Sequence, residues 1–329
     1  NKECVQLVLQ HKIDLTAKDR YRLTVMDYAV KQSDTALVAL LTKRGVRSSN
    51  LMDKKLHGLY PDSDLPGDKP ILFAPGVITT PFANERDISI SHDFKELYFT
   101  RWLTGNWDIV VMSKSPEGWS RPAPAEFSSP WMEAEAFFTP DERQIFFIST
   151  RPEHGAEAGG TWEIWSVQRS GEKWGKAEKL DGAFTGGFYT TFTKDGIMHL
   201  TLGGKMQYAL PAAGGFTAPV PLPASVNGNH GGYNGFVAPD ESYLIFSTTI
   251  PGDGFGEGDL YITFKTEDGG WTAIRNMGSA VNSFARDYCP AVSPDGKYFF
   301  FSSRRYGTED IFWMKADIIE KLKKKILGS

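Results

Sequence analysis

The chain has only two cysteines among its 329 residues, Cys4 and Cys289. They lie far apart, in what read as different domains, which argues against a structural disulfide or a thiolate metal site. No apolar run approaches the ~18 residues a spanning helix needs. There is no basic excess either: the net charge of −4 argues against nucleic acid as a main partner. P-loop, G-x-S-x-G and HExxH motifs are absent. The paired glycines lack the strand-to-helix context of a phosphate cradle, so they read as turns.

What is abundant is aromatic surface, 22 Phe, 12 Tyr and 9 Trp, which favours packed sheets. Charge is uneven. Residues 1–69 hold 12 Lys and Arg against 9 Asp and Glu, and the remainder holds 24 against 31. The basic run "KLKKK" (321–325) reads as the solvated face of a closing helix.

Residues 5–46 carry apolar positions at helical spacing in two stretches. "LTAKD" (15–19), "TVMDYA" (24–29) and "TALVALLTKRG" (35–45) follow the order of a hairpin, a helix start and a second helix ending in glycine. This segment resembles ankyrin repeats, with Val25 and Asp27 departing from the family's Pro and His. About one and a half repeats cannot bury a continuous core, so the segment is expected to cap a neighbour or extend an array. Residues 50–69, rich in Pro, Gly and Asp, read as a linker.

From residue 84 one phrase recurs five times. Its turn aspartates are Asp93, Asp141, Asp195, Asp240 and Asp295, spaced 48, 54, 45 and 55 residues apart. Each copy has two strands across the turn and a third beyond, and a fourth segment is clearest in copies one, two and four. A strand-only repeat near this period marks propeller blades. The fifth copy lacks a fourth strand, and "PILFAPGVIT" (70–79) has the character to supply it and close the ring. "TPDE", "APDE" and "SPDG" resemble the turns of WD-like repeats in TolB-type β-propellers. The expectation is a mainly β chain: an ankyrin-like segment over 1–49, a linker over 50–69, a five-bladed propeller of four-stranded blades over 70–316, and a C-terminal helix over 317–329. The resemblance implies a bacterial binding module or scaffold; the further expectation is a monomer in the periplasm or outside the cell, its export signal not in this chain.

Aligning the copies on their turn aspartates gives three columns at the mouth of the central channel. The first is Glu85, Glu133, Gly187, Gly232 and Asp287. The second is Arg86, Ala134, Phe188, Tyr233 and Tyr288. The third is Asp87, Glu135, Tyr189, Asn234 and Cys289. An acidic arc facing an aromatic arc would cradle a sugar, a cationic small molecule or a peptide. In the bland alternative these acids pair with Arg86, Arg101, Arg151, Arg286 and Arg305 and tie blades together. Ile250 leaves a gap in that arginine series. Glycan cleavage by two of Glu85, Glu133, Glu135 and Asp287 is a further reading, because such chemistry needs paired carboxyls. So is a lyase using His154 or His230 with Tyr233 and Arg151. A pure protein-interaction scaffold is the third, and it requires every mouth acid to be bridged and the channel plugged. No cofactor is expected. "GDGFGEGD" (252–259) has the look of a Ca²⁺ loop without its ligand spacing and reads as a structural hairpin. His92, in the proline slot of a turn, reads as structural.

Overall fold

The computed structural model describes residues 11, 13–49, 56–62, 64–103, 105–152, 160–180 and 182–328. Five antiparallel sheets surround one channel. Each begins with an inner strand: Asn84–Ile90, Glu133–Phe138, Phe188–Phe192, Tyr233–Val237 and Asp287–Val292 in blades one to five. Each then runs outward in sequence order through a second and a third strand to short outermost segments. The inner strands alternate tightly with the second strands, whose Phe, Ile and Leu residues fill the spaces between sheets. In blade five the outermost strand is Ile71–Leu72, which pairs antiparallel with Asp310–Lys315 in the register Ile71 to Trp313 and Leu72 to Phe312. The ring is therefore closed by chain from before blade one, which gives blade five its fourth strand.

The turn aspartates hold the hairpins. Asp93 accepts from Ser91 Oγ and the Lys95 N–H, and Asp295 from Ser293 Oγ and the Lys297 N–H. This is the local side-chain bonding that makes Asp a turn residue.

Before the propeller, the helices Val25–Lys31 and Thr35–Lys43 pack around Met26, Ala29, Leu41 and Val46. Thr24 and Asp27 form a capping box on the first. The upstream part of the expected repeat, residues 1–10 and 12, lies outside the described residues. The pair joins the propeller core through Tyr21 and Leu23, which pack with Leu72 and Ile319. The described part of the expected linker is well packed. Tyr60 is buried edge-on to Phe94 and Tyr298, and Asp62 accepts from the Ala74 N–H and pairs with Arg22. The closing helix Asp317–Leu327 buries Ile319 against the same cluster and leaves the lysines of "KLKKK" on its outer side. No helix among the described residues is long and apolar enough to cross a membrane.

Candidate functional site

Every inner strand carries a bulge at the same place, between the second column and the residue three positions on. The third-column residue of each blade sits there in the left-handed region: Asp87 at φ 43°, Glu135 at 62°, Tyr189 at 54°, Asn234 at 54° and Cys289 at 50°. A left-handed backbone costs a non-glycine residue roughly 1–2 kcal/mol, and a bulge re-aims its side chain. The neighbouring blade supplies a hydrogen bond in return. Asp87 N–H donates to Ser302 Oγ, Glu135 N–H to Thr100 Oγ1 and Asn234 N–H to Thr201 Oγ1, each at 3.0 Å. These hydroxyls, with Ser247, occupy equivalent places on the second strands, each directly opposite a second-column residue. Ile148 fills that place in blade two. The column is readable in the sequence as "FTR", "LTL", "FST" and "FSS".

The five third-column residues are buried and close the channel. Glu135 accepts from the Tyr189 N–H at 2.9 Å and from Asn234 Nδ2 at 3.3 Å, and pairs with Arg86 at 3.1 Å. Thr100 Oγ1 donates to Asp87, whose second carboxylate oxygen has no hydrogen-bond partner. Burial pushes the Asp87 carboxyl up to about 8, against the pull of Arg86. Arg86 Nε lies 3.6 Å from that second oxygen, so Asp87 and Glu135 share one guanidinium. Tyr189 donates its hydroxyl to Pro290 O, and its ring meets Phe137 edge-on at 4.8 Å. Cys289 is a buried free thiol whose pKa burial raises well above normal.

The first-column acids are also withdrawn from solvent. Glu85, Glu133 and Asp287 are each 0% exposed. Arg101 donates to Glu85 at 3.1 Å and Arg305 to Asp287 at 2.7 Å, and Arg151 pairs with Glu133. The same arginines donate to loop carbonyls at Ile78, Val281 and Phe127. Thr80, Ser129 and Ser283 close each unit by donating both N–H and hydroxyl to the acid. Burial raises the Glu85 carboxyl to about 8, opposed first by Arg101. Blades three and four lack acid and arginine together. A Cβ on Gly187 would lie 2.9 Å from Phe184 O, and one on Gly232 would lie 2.8 Å from the Phe246 ring. The gap at Ile250 therefore matches a missing acid. In blades one, two and five the unit fastens a loop to its own blade.

The sequence-derived site thus divides. Glu85, Glu133 and Asp287 with Arg101, Arg151 and Arg305 form three separate ties. Asp87, Glu135, Tyr189 and Asn234 form the plug. His154 lies outside the described residues. His230 Nδ1 is 2.8 Å from Gly231 O, a contact within its own loop. Asp259, in the glycine-rich hairpin, accepts from the Phe255 N–H and Asn276 Nδ2. No group of three His, Cys, Asp or Glu with metal-site geometry occurs among the described residues.

What the mouth presents above the plug is cationic and aromatic. Arg286 lies over the rings of Tyr233 and Tyr288, 5.2 and 4.8 Å from their centroids. It has no acidic partner among the described residues, and its buried Nε has no hydrogen-bond acceptor. On the adjacent blade one, Arg86, itself paired with Glu135, lies over Trp107, which meets Trp102 edge-on. Gly258 allows the approach at the blade four–five joint: a Cβ there would be 3.2 Å from Tyr233 Oη and 3.5 Å from Arg286 Cγ. On the same rim Phe284 is 76% exposed and Phe255 49%. By its place in the repeat, Arg286 reads in the sequence as a partner for the acids. The signal that marks it is the column just before the first, Asn84, Met132, Gly186, Gly231 and Arg286, where it alone is charged.

No protein-family signature and no curated protein matches the chain. Among solved structures it is similar to TolB from Acinetobacter baumannii, with 13% identity and a TM-score of 0.48 over 75% of this chain and 57% of that one. The chain thus spans little more than half of that TolB. It is also similar to an arabinanase from Bacillus subtilis, with 10% identity and a TM-score of 0.46 over 69% of this chain and 92% of that one. A periplasmic gluconolactonase from Pseudomonas aeruginosa gives 12% identity and a TM-score of 0.41 over 67% and 65%.

Proposed function

We propose that the chain is a non-catalytic binding propeller whose loop-face mouth takes a polar ligand bearing a carboxylate or a similar planar anion. The supporting observation is Arg286: an arginine without an acidic partner among the described residues, held between two tyrosine rings at the channel entrance. A guanidinium offers a fork of donors that fits a carboxylate, and stacking holds that fork in place. Glu85, Glu133 and Asp287 are buried in contacts with their own arginines and Glu135 in contacts with Arg86, Tyr189 and Asn234 of other blades, which disfavours a catalytic role for them. Their sequestration also turns the ligand's expected charge from cationic to anionic. The exposed rings of Phe255 and Phe284 favour a second reading, in which the anion belongs to a protein partner docking on this rim.

The test is a calorimetric titration of trigalacturonate and of a Glu-rich pentapeptide at low and high salt, with neutral maltotriose as the control. An Arg–carboxylate contact at a half-exposed mouth predicts binding of an acidic probe that weakens as salt rises. Binding of maltotriose alone, or salt-independent binding of all probes, contradicts the reading.

A further inference from the structure

The opposite end of the channel, on the face of the Asp-containing turns, opens into a cavity of about 350 Å³. All five inner strands contribute to its wall, with Ile90, Phe137, Phe138, Phe192, Phe236 and Val292 among the lining residues. Its floor is closed. Phe137 rests on Tyr189, and Tyr189 is fixed by its bond to Pro290 O, so the plug separates this cavity from the mouth. An apolar cavity of about 150 Å³ takes a single benzene ring. This one is about twice as large and falls at the lower end of the range for small-molecule sites.

The rim has an unequal charge. Glu142, at φ 55°, reaches the preceding blade, where it accepts from the His92 backbone N–H and lies 3.5 Å from His92 Nδ1. Glu142 is thus tied by a hydrogen bond to the backbone of the preceding blade. Lys194 also lines the cavity and has no acidic partner among the described residues. A phenylalanine-lined pit with one uncommitted cation at its edge is complementary to an apolar ring system that ends in an acid. From this we infer that the turn-face cavity binds a small aromatic carboxylate of about two fused rings. The rings lie among Phe137, Phe138, Phe192 and Phe236, and the carboxylate meets Lys194.

The probe is 2-naphthoate, titrated into the full chain by calorimetry, with 2-naphthylmethanol as its uncharged counterpart. The inference expects saturable one-to-one binding of the acid, about tenfold tighter than the alcohol. Lys194→Gln should reduce the acid to the affinity of the alcohol. Ring-current shifts on adding 2-naphthoate should concentrate on the methyl groups of Ile88, Ile90 and Val292 in the unmodified protein, a readout that needs no variant to fold. Ser89→Phe, which fills the cavity, should remove binding while the variant still melts cooperatively. Absence of saturable binding, equal affinity for acid and alcohol, or no shift at the methyl groups of Ile88, Ile90 and Val292 would overturn this assignment.

Discussion

Tyr189 donates its backbone N–H to Glu135 Oε2 at 2.9 Å, across the joint between blades two and three. At three other joints a threonine or serine hydroxyl receives the corresponding N–H, and here Ile148 stands in that place. Glu135 thus serves both as the missing hydroxyl and as the counter-charge of Arg86. Removing one partner of a buried pair costs about 3–5 kcal/mol. Glu135→Gln should therefore destabilise by roughly that much, and adding Ile148→Thr should recover part of the loss by restoring an acceptor for Tyr189. Urea denaturation of the single and double variants checks both. A Glu135→Gln protein as stable as the parent would contradict this role.

Asp87 predicts a loss of stability as pH rises from about 4 to about 8. Its folded pKa of about 8 lies above the ordinary 3.8, so the folded state holds the proton more tightly than the unfolded chain. The stabilisation is complete below about pH 4 and declines as pH rises through 8, by at most about 1.4 kcal/mol per pH unit. Glu85 shifts in the same direction. Melting temperatures from pH 5 to 9 should fall with pH in the parent and fall less steeply in Asp87→Asn. Identical slopes would show that Asp87 is ionised in the folded state.

His199 predicts the opposite limb. It is fully buried, neither ring nitrogen has a hydrogen-bond partner, and burial together with Lys265 lowers its pKa to about 3. A depressed histidine leaves stability intact above about pH 6.5 and removes it as pH falls toward 3. His199→Phe should flatten that acid limb in a pH series of thermal melts. If the variant retains the parent's acid dependence, another group is responsible.

The acid–arginine ties predict a double-mutant signature. Arg151→Met leaves Glu133 buried without its counter-charge and should destabilise by about 3–5 kcal/mol. Glu133→Gln combined with Arg151→Met should lose much less than the sum of the two single changes, because no charge is then stranded. Additive losses would mean that the two side chains act independently.

The blade count, the turns and the strand that closes the ring were legible because they repeat, and repetition survives even in the weak third copy. The sign of the mouth was not. "NER", "MEAE" and "RDY" show carboxylates at strand starts, but a period-two strand pattern does not reveal a bulge. The bulge turns Asp87 and Glu135 into the channel and buries them. Nor does it show that Arg101, Arg151 and Arg305 fold back onto the acids beside them. The ankyrin-like segment illustrates a different limit. Its helices are present at 25–31 and 35–43, but two short helices packed on a propeller do not establish a repeat array, and no comparison supports one.

The most direct test of the central claim compares the thermal shift of the parent and Arg286→Gln across one matched panel: trigalacturonate and a Glu-rich pentapeptide, maltotriose, and spermidine. A ligand at ~100 times its Kd adds about 2.7 kcal/mol, enough to move a melt visibly. At least one acidic probe should shift the parent, spermidine and maltotriose should not, and the shift should disappear in Arg286→Gln while its unliganded melt stays near the parent's. A shift by spermidine alone, or an acidic shift that survives Arg286→Gln, would contradict the claim.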